Sequence, residues 1–277
     1  MNNITVGTIP FREWNTWYRE AASEGDGIPI LLLHGGPGST HNYMELLDPW
    51  AEKRPVITYD QLGCGESFVE GRPDLWVMDT WLDELENLRE KLDLTEVILL
   101  GQSFGGMLAL SYVLERRPSG VRGLVLSSTL SNASLWGREQ HRMLDLMGLS
   151  EDDVDTYMQK LCAGPYTEES PECLRRTKRS GTESYTTAWG PNEFTPVGTL
   201  SGYDLTERLS EIRIPTLVVS GTNDLCTPLI AKTMADRIPG ARWLLMEGCR
   251  HMCFADDTNR YLQEVGAFLD SVDAGRN

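Results

Sequence analysis

The chain has 277 residues, of which 40% are hydrophobic and 24% are charged, a composition that supports an ordinary globular core. Its net charge of −16 disfavours nucleic acids and membranes as partners, because an acidic surface repels phosphate groups. The longest apolar runs are strand-sized and no signal peptide is recognisable, so we expect a cytoplasmic protein. Its six cysteines include no Cys-x-x-Cys pair, and we expect free thiols.

Buried strands alternate with amphipathic helices through the first half of the chain. The strands are predicted where apolar or aromatic runs end in turns, at 13–18, 28–33, 56–59, 97–100 and 121–126. One amphipathic helix with a candidate N-cap at Thr80 is predicted, since apolar residues recur at three- and four-residue steps at Met78, Trp81, Leu82, Leu85, Leu88 and Leu92. A second is predicted over 104–116. This alternation predicts an α/β protein with a mostly parallel central sheet and helices on both faces.

The rhythm changes between residues 130 and 200, where polar residues, glycine and proline are frequent and no strand-like run occurs. Ser150 is a candidate cap for a helix within this segment. Afterwards the α/β pattern returns, with a strand at 215–220, a helix opening at Thr227, a strand at 242–246 and a final amphipathic helix. We therefore expect one core, formed by 1–129 and 201–277, that carries a helical cap insertion at 130–200.

The most informative motif is Gly101-Gln102-Ser103-Phe104-Gly105, which lies between a predicted buried strand and a predicted helix. Gly-x-Ser-x-Gly in that setting is the sharp nucleophile turn of serine hydrolases. The glycines allow the tight turn, and the following helix directs backbone N–H groups at developing negative charge. Ser103 is therefore the candidate nucleophile.

A serine nucleophile needs a base and a group that orients the base. His251 follows a predicted strand and lies in a loop, whereas His141 lies in a predicted helix, so His251 is the candidate base. Asp224 follows the strand at 215–220 and precedes His251, which fits the chain order serine, acid, histidine. Asp60 also ends a strand but precedes the serine.

The oxyanion hole of such enzymes uses two backbone N–H groups. One is expected from Phe104, directly after the nucleophile. The other is expected from the glycine-rich turn that follows the strand at 28–33, where Gly36 is the first choice and Gly35 the alternative. His34 is interpreted as a structural residue of this turn.

Four segments carry a resemblance to a known family: His34-Gly35-Gly36-Pro37-Gly38, Tyr59-Asp60-Gln61-Leu62-Gly63-Cys64-Gly65, Gly101-Gln102-Ser103-Phe104-Gly105-Gly106 and Trp189-Gly190-Pro191-Asn192-Glu193-Phe194. The chain resembles the proline iminopeptidase branch of the α/β hydrolases, including tricorn-interacting aminopeptidases and amino-acid amide hydrolases. The resemblance implies an α/β-hydrolase fold, a triad of Ser103, Asp224 and His251, and a helical cap. It also implies that Glu193 holds the free α-amine of a short peptide or amino-acid amide, from which the family removes an N-terminal residue, often proline.

Two departures from the family pattern concern specificity. A second acidic residue often follows the triad aspartate in aminopeptidase members, and here that position is Leu225. The cap is also expected to be short between Tyr157 and Trp189. Candidate pocket residues are Trp136, Trp189 and Phe194, for which a role in the cap core is equally open.

These residues predict a serine aminopeptidase or amidase that acts through an acyl-enzyme on a small peptide or amide and needs no cofactor or metal. The alternative is an esterase, thioesterase or lactonase of the same fold acting on a small acyl substrate, and Leu225 favours it. A ligand-binding protein with a retained hydrolase pocket is a third reading, against which the complete set of Ser103, Asp224 and His251 argues.

Overall fold

Eight strands form the central sheet of the computed structural model, which describes residues 3–161 and 181–275. Their bounds are β1 Ile4–Phe11, β2 Trp14–Ala21, β3 Ile30–Leu33, β4 Val56–Asp60, β5 Val97–Gln102, β6 Val121–Ser127, β7 Thr216–Gly221 and β8 Arg242–Met246. The strand order is β1-β2-β4-β3-β5-β6-β7-β8. β1 pairs antiparallel with β2 and β2 pairs antiparallel with β4, whereas the other neighbours are parallel. The prediction of an α/β fold with a mostly parallel sheet is confirmed.

Helices connect the strands and cover the sheet. Within the described residues the α-helices are α1 Met78–Lys91, α2 Phe104–Ser111, α3 Ala133–Met147, α4 Val154–Leu161, α5 Thr182–Ala188, α6 Pro228–Arg237, α7 Cys253–Asp256 and α8 Thr258–Ala274. None of the described helices is long and apolar enough to cross a membrane.

The core lies on both faces of the sheet. Alternate residues of β3 join different apolar clusters, with Leu31 and Leu33 on one face and Ile30 and Leu32 on the other. All four side chains are fully buried, which is why the sequence shows a continuous apolar run here rather than an alternating one. Buried central strands of this kind fix the positions of the loops at their carboxyl ends.

Three local features differ from the predictions. The N-cap of α1 is Val77 rather than Thr80, which lies buried in the first turn of that helix. β1 was not predicted, because it is an edge strand in which Ile4 and Val6 are exposed and only Ile9 and Phe11, at its end, are buried. The predicted helix over 104–116 is α-helical only to Ser111 and continues as a π-helical segment, Tyr112–Arg116.

The segment between β6 and β7 contains α3, α4 and α5 and, in its described part, no strand. Ser150 caps the turn before α4, exchanging hydrogen bonds with Asp153, as the sequence predicted. Helix α3 contacts the loop after β7 through buried bonds: Gln140 Nε2 donates to the Leu225 carbonyl at 2.8 Å, and Thr227 Oγ1 donates to Glu139 Oε2 at 2.6 Å. The segment is therefore tied to the sheet at the loop that carries Asp224.

Candidate active site

Ser103 lies at the sharp turn between β5 and α2. Its φ of 55° and ψ of −123° are unusual for a residue with a Cβ. The backbones around the turn are very close: a Cβ on Gly101 would lie 2.2 Å from the carbonyl oxygen of Gly105, and one on Gly105 would lie 2.0 Å from that of Leu33. Glycine is therefore required at both positions, and the strained turn holds Ser103 at the start of α2.

Asp224 accepts four hydrogen bonds in a buried loop after β7. Its Oδ1 accepts from His251 Nδ1 at 2.7 Å and from the Cys226 N–H at 2.8 Å. Its Oδ2 accepts from Ser128 Oγ at 2.6 Å and from the Gly221 N–H at 3.2 Å. A carboxylate with all its lone pairs engaged is fixed in orientation, and it holds the imidazole in the tautomer whose Nε2 can accept a proton.

His251 is held through its backbone as well as its ring. Its N–H donates to the Leu161 carbonyl at the end of α4, at 2.9 Å, and its carbonyl accepts from Gln102 Nε2 at 3.4 Å. No hydrogen bond joins Ser103 Oγ to His251 among residues 3–161 and 181–275. Because Gln102 directly precedes Ser103, the base is nevertheless attached to the turn that carries the candidate nucleophile.

The two candidate oxyanion donors are free in the described part of the structure. The Gly35 N–H donates to Tyr43 Oη at 2.6 Å and is not available to a substrate. No described residue accepts from the N–H of Gly36 or from that of Phe104 at the first position of α2. The geometry thus favours Gly36 over Gly35, and a Cβ on Gly36 would meet the Gly38 nitrogen at 2.4 Å.

His34 and Asp60 lie beneath this glycine-rich turn. His34 is fully buried, its Nε2 accepts from the Gln61 N–H at 3.0 Å, and burial lowers its pKa to about 4. Asp60 accepts from the backbone and ring of His41 and from the Glu66 N–H. The possible metal-ligand atoms of His34, Asp60 and Cys64 lie within 4.8 Å of one another. The hydrogen bonds just described, however, already occupy the His34 ring and the Asp60 carboxylate. Both residues therefore shape the turn, in agreement with the interpretation of His34.

Glu193 lies half-buried in the loop after α5. Tyr185 Oη donates to its Oε1 at 2.8 Å. Burial raises the pKa of Glu193, while the nearby His251 and the Tyr185 hydrogen bond act in the opposite direction. A carboxylate whose ionised form is destabilised by burial gains from a cationic partner.

The three candidate aromatic residues are buried and occupy different positions. The ring of Trp136 lies edge-on to the His251 imidazole, with centroids 6.0 Å apart, and its Nε1 donates to the Glu193 carbonyl at 3.0 Å. Trp189 packs on Trp136 at 6.3 Å, and Phe194 packs on Tyr157 at 5.1 Å. Trp136 is thus the aromatic residue that contacts both the candidate base and the segment of Glu193.

Comparisons with known proteins agree with this geometry. The family described as alpha/beta hydrolase fold matches residues 28–152. The chain is 50% identical to the proline iminopeptidase of Clostridioides difficile (strain 630) and 46% identical to that of Lactobacillus helveticus (strain DPC 4571), each alignment covering 98% of this chain and 99% of the relative. The chain belongs to the proline iminopeptidase family.

Solved structures of similar proteins extend over the whole fold. The crystal structure of proline iminopeptidase from Mycobacterium smegmatis has a TM-score of 0.88 and 26% identity, covering 99% of this chain and 100% of that chain. The crystal structure of VinJ has a TM-score of 0.81 and 32% identity, covering 97% and 99%. This proline iminopeptidase family member therefore shares its architecture with its relatives along its full length.

The sequence alone did not identify several residues that support the site. No local pattern distinguishes them, although each forms a hydrogen bond to a candidate site residue or to its loop: Tyr43, Ser128, Tyr185 and Gln140. Leu225, which stands where a second acidic residue was expected, is fully buried.

The four described cysteines, Cys64, Cys226, Cys249 and Cys253, are free. Cys162, Cys173 and most of the expected short stretch of the cap lie outside the described residues.

Proposed function

We propose that this protein is a serine aminopeptidase that removes an N-terminal proline or another small apolar residue from short peptides or amino-acid amides. The names of its curated relatives, proline iminopeptidases of 46–50% identity, support the reaction. The residues proposed to carry it are Ser103 as nucleophile, His251 as base and Asp224 as the group that orients the base. Glu193 is proposed to bind the free amine.

In the proposed reaction, Ser103 Oγ attacks the carbonyl carbon of the N-terminal residue while His251 Nε2 takes the hydroxyl proton. The N–H groups of Gly36 and Phe104 stabilise the oxyanion, a contribution of about 3–4 kcal/mol per donor in comparable enzymes. His251 then donates its proton to the leaving amine, and an acyl-enzyme remains on Ser103. Water activated by His251 hydrolyses this ester and releases the amino acid.

One observation carries the proposed substrate class: a half-buried carboxylate lies beside the candidate base. Trp136 contacts the His251 ring and also holds the backbone of Glu193, so the two groups belong to one site. An N-terminal residue places its ammonium one carbon from the carbonyl that is attacked. A carboxylate close to the base is therefore suited to bind that ammonium, and it disfavours substrates that lack one.

The test is to compare free and blocked amines on the same leaving group. Prolyl and alanyl p-nitroanilides should be hydrolysed, and their N-acetylated forms should be turned over at least about a hundredfold more slowly in kcat/KM, since the half-buried Glu193 carboxylate then lacks its ammonium partner. Glu193→Gln should reduce this discrimination strongly. Glu183→Gln is the matched control, because the Glu183 carboxylate also accepts from an aromatic side chain, the Trp76 indole N–H at 2.8 Å, whereas the Glu193 carboxylate accepts from Tyr185 Oη.

Equal turnover of free and blocked substrates by the wild-type protein would refute the proposed amine recognition. The second candidate function, an esterase, thioesterase or lactonase acting on a small acyl substrate, would then apply. It is favoured by the apolar side chain of Leu225 next to Asp224, which leaves Glu193 as the one proposed amine-binding carboxylate. A p-nitrophenyl ester measured in parallel distinguishes the two functions.

We also propose that residues 130–200 form a cap over a core made of 1–129 and 201–277. The bonds from Gln140 and Glu139 to the Asp224 loop support this division, as does the contact of Gly181 with Gly38, whose carbonyl accepts from the Gly181 N–H at 3.1 Å. Trp136, Trp189 and Phe194 are then proposed to line or support the side-chain pocket.

A cytoplasmic location is proposed from the free thiols of the described cysteines and is tested by cell fractionation.

A further inference from the structure

A continuous chain of buried hydrogen bonds runs through the candidate active site and has no part in the reaction described above. The Gly35 N–H donates to Tyr43 Oη at 2.6 Å, and Tyr43 Oη donates to Gln102 Oε1 at 2.8 Å. Gln102 Nε2 then donates to the His251 carbonyl at 3.4 Å. Tyr43 and Gln102 are only 1% and 2% exposed, so water does not replace these bonds. We call Tyr43 and Gln102 the relay.

The directions of these bonds are fixed by one another. The Gly35 N–H can only donate, so it uses the Tyr43 oxygen as an acceptor and leaves the hydroxyl proton to be donated onward. Gln102 must therefore present its amide oxygen to Tyr43. Its amide nitrogen is then directed to the His251 carbonyl, which can only accept. If the Gln102 amide were reversed, its NH₂ group would face the donating Tyr43 hydroxyl, and its oxygen would face the carbonyl oxygen of His251.

The relay joins three segments that the proposed reaction must hold together. Gly35 directly precedes Gly36, the proposed oxyanion donor. Gln102 directly precedes Ser103, the proposed nucleophile, and His251 is the proposed base. The packing around Gly35 is tight as well, because a Cβ there would lie 2.6 Å from Gln102 Oε1 and 3.0 Å from Ser103 Cβ.

We propose that Tyr43 and Gln102 are positioning residues, which hold the oxyanion turn and the base in fixed geometry relative to Ser103. This inference rests on the proposed serine chemistry but not on the proposed preference for a free amine. Neither side chain contacts the reacting atoms in this role. Their effect is on the placement of the Gly36 N–H and of the imidazole, both of which act more strongly in the transition state than in substrate binding.

Tyr261 provides a matched control for Tyr43. Both tyrosines are buried and pack on Phe254, with centroid distances of 5.8 Å for Tyr43 and 5.6 Å for Tyr261. Tyr261 Oη also donates to a buried side chain, Ser127 Oγ, at 2.9 Å. Replacing either tyrosine by phenylalanine therefore removes one buried hydroxyl from the same aromatic cluster, but only Tyr43 belongs to the relay.

The experiment measures the reaction of Ser103 with a fluorophosphonate in the full chain, as the limiting rate kinact and the half-saturating concentration KI. Tyr43→Phe and Gln102→Met should each lower kinact about tenfold, as expected for the loss of a buried hydrogen bond, with KI changed by less than about twofold. The double variant should also be about tenfold slower rather than a hundredfold, because both changes break one chain. Tyr261→Phe should keep kinact within about twofold.

Thermal unfolding of each variant identifies those that fold, and Tyr43→Phe adds no volume that would prevent folding. A wild-type kinact in both Tyr43→Phe and Gln102→Met would overturn the inference. So would an equal loss of kinact in Tyr261→Phe, since the effect would then be one of general packing. The nitroanilide comparison on the wild-type protein is independent, so failure of amine discrimination is distinguishable from failure of the relay.

Discussion

Replacing Asp224 by asparagine is the most informative change at the proposed triad. The carboxylate accepts from two donors on each oxygen, and an amide nitrogen can accept from none of them. On the Oδ1 side, the new NH₂ group would face the N–H groups of His251 and Cys226. On the Oδ2 side it would face only one fixed donor, the Gly221 N–H, because the Ser128 hydroxyl can rotate and accept. The asparagine oxygen should therefore remain against His251.

This orientation sets the size of the expected effect. The tautomer of His251 is retained, so the roughly 10⁴-fold loss seen where an asparagine imposes the wrong tautomer is not expected. What is lost is the negative charge that stabilises the imidazolium in the transition state. A unit charge pair about 4 Å apart is worth about 4 kcal/mol at an effective dielectric constant of 20, which corresponds to a decrease in kcat of about a thousandfold.

The assay is kcat for a prolyl p-nitroanilide, combined with urea unfolding to confirm that the variant is folded. Asp273→Asn is the control, because Asp273 also accepts from a backbone N–H, that of Ile28, and pairs with Arg54 at 2.9 Å. It should reduce stability and leave kcat unchanged. A folded Asp224→Asn variant with kcat within threefold of the wild type would refute the assigned role of Asp224.

Three further predictions concern stability and pH. Burial raises the pKa of Glu84 to about 7, so between pH 5 and 7 the folded chain holds a proton on Glu84 that the unfolded chain has released. The unfolding free energy should therefore fall by up to about 3 kcal/mol as pH rises from 5 to 8. Urea titrations should show this fall in the wild type and not in Glu84→Gln. Gly105→Ala should destabilise the fold by about 3 kcal/mol or more, because the added Cβ would clash with the Leu33 carbonyl. Gly202→Ala is the control and should be nearly neutral in the same urea titrations, since a Cβ at Gly202 would have no atom within 4 Å. Because burial raises the pKa of Glu193, KM for a free-amine substrate should rise as pH falls towards that pKa, while KM for an uncharged ester should not; parallel KM profiles would contradict the assignment.

The sequence predicts most of the sheet because its central strands are buried on both faces. β3 and β5 appear as continuous apolar runs that end in glycine-rich turns, and those turns carry the candidate oxyanion donor and nucleophile. β1 was missed because its burial depends on pairing with β2 and because Gly7 and Pro10 interrupt it. The N-cap of α1 was wrongly assigned to Thr80 because the actual N-cap, Val77, makes no side-chain cap hydrogen bond that a sequence pattern could indicate.

The sequence predicted those site residues that directly follow a strand. It did not predict those whose role comes from a contact with a residue far away in the chain. Ser103 and Asp224 each follow a buried strand closely, and His251 follows β8, so chain order alone suggested their roles. Tyr43 and Gln102 are 59 residues apart, and Ser128 and Asp224 are 96 residues apart. No periodicity or motif links such pairs, and only the folded arrangement of the sheet brings them into contact.

The most direct test of the proposed serine chemistry is mass spectrometry of the protein after reaction with a fluorophosphonate. One phosphonyl group should be found on the peptide that contains Ser103, it should be absent from Ser103→Ala, and it should form far more slowly in His251→Gln. An adduct that persists in Ser103→Ala, or a wild-type protein that forms none, would contradict the assignment of Ser103 as the nucleophile activated by His251.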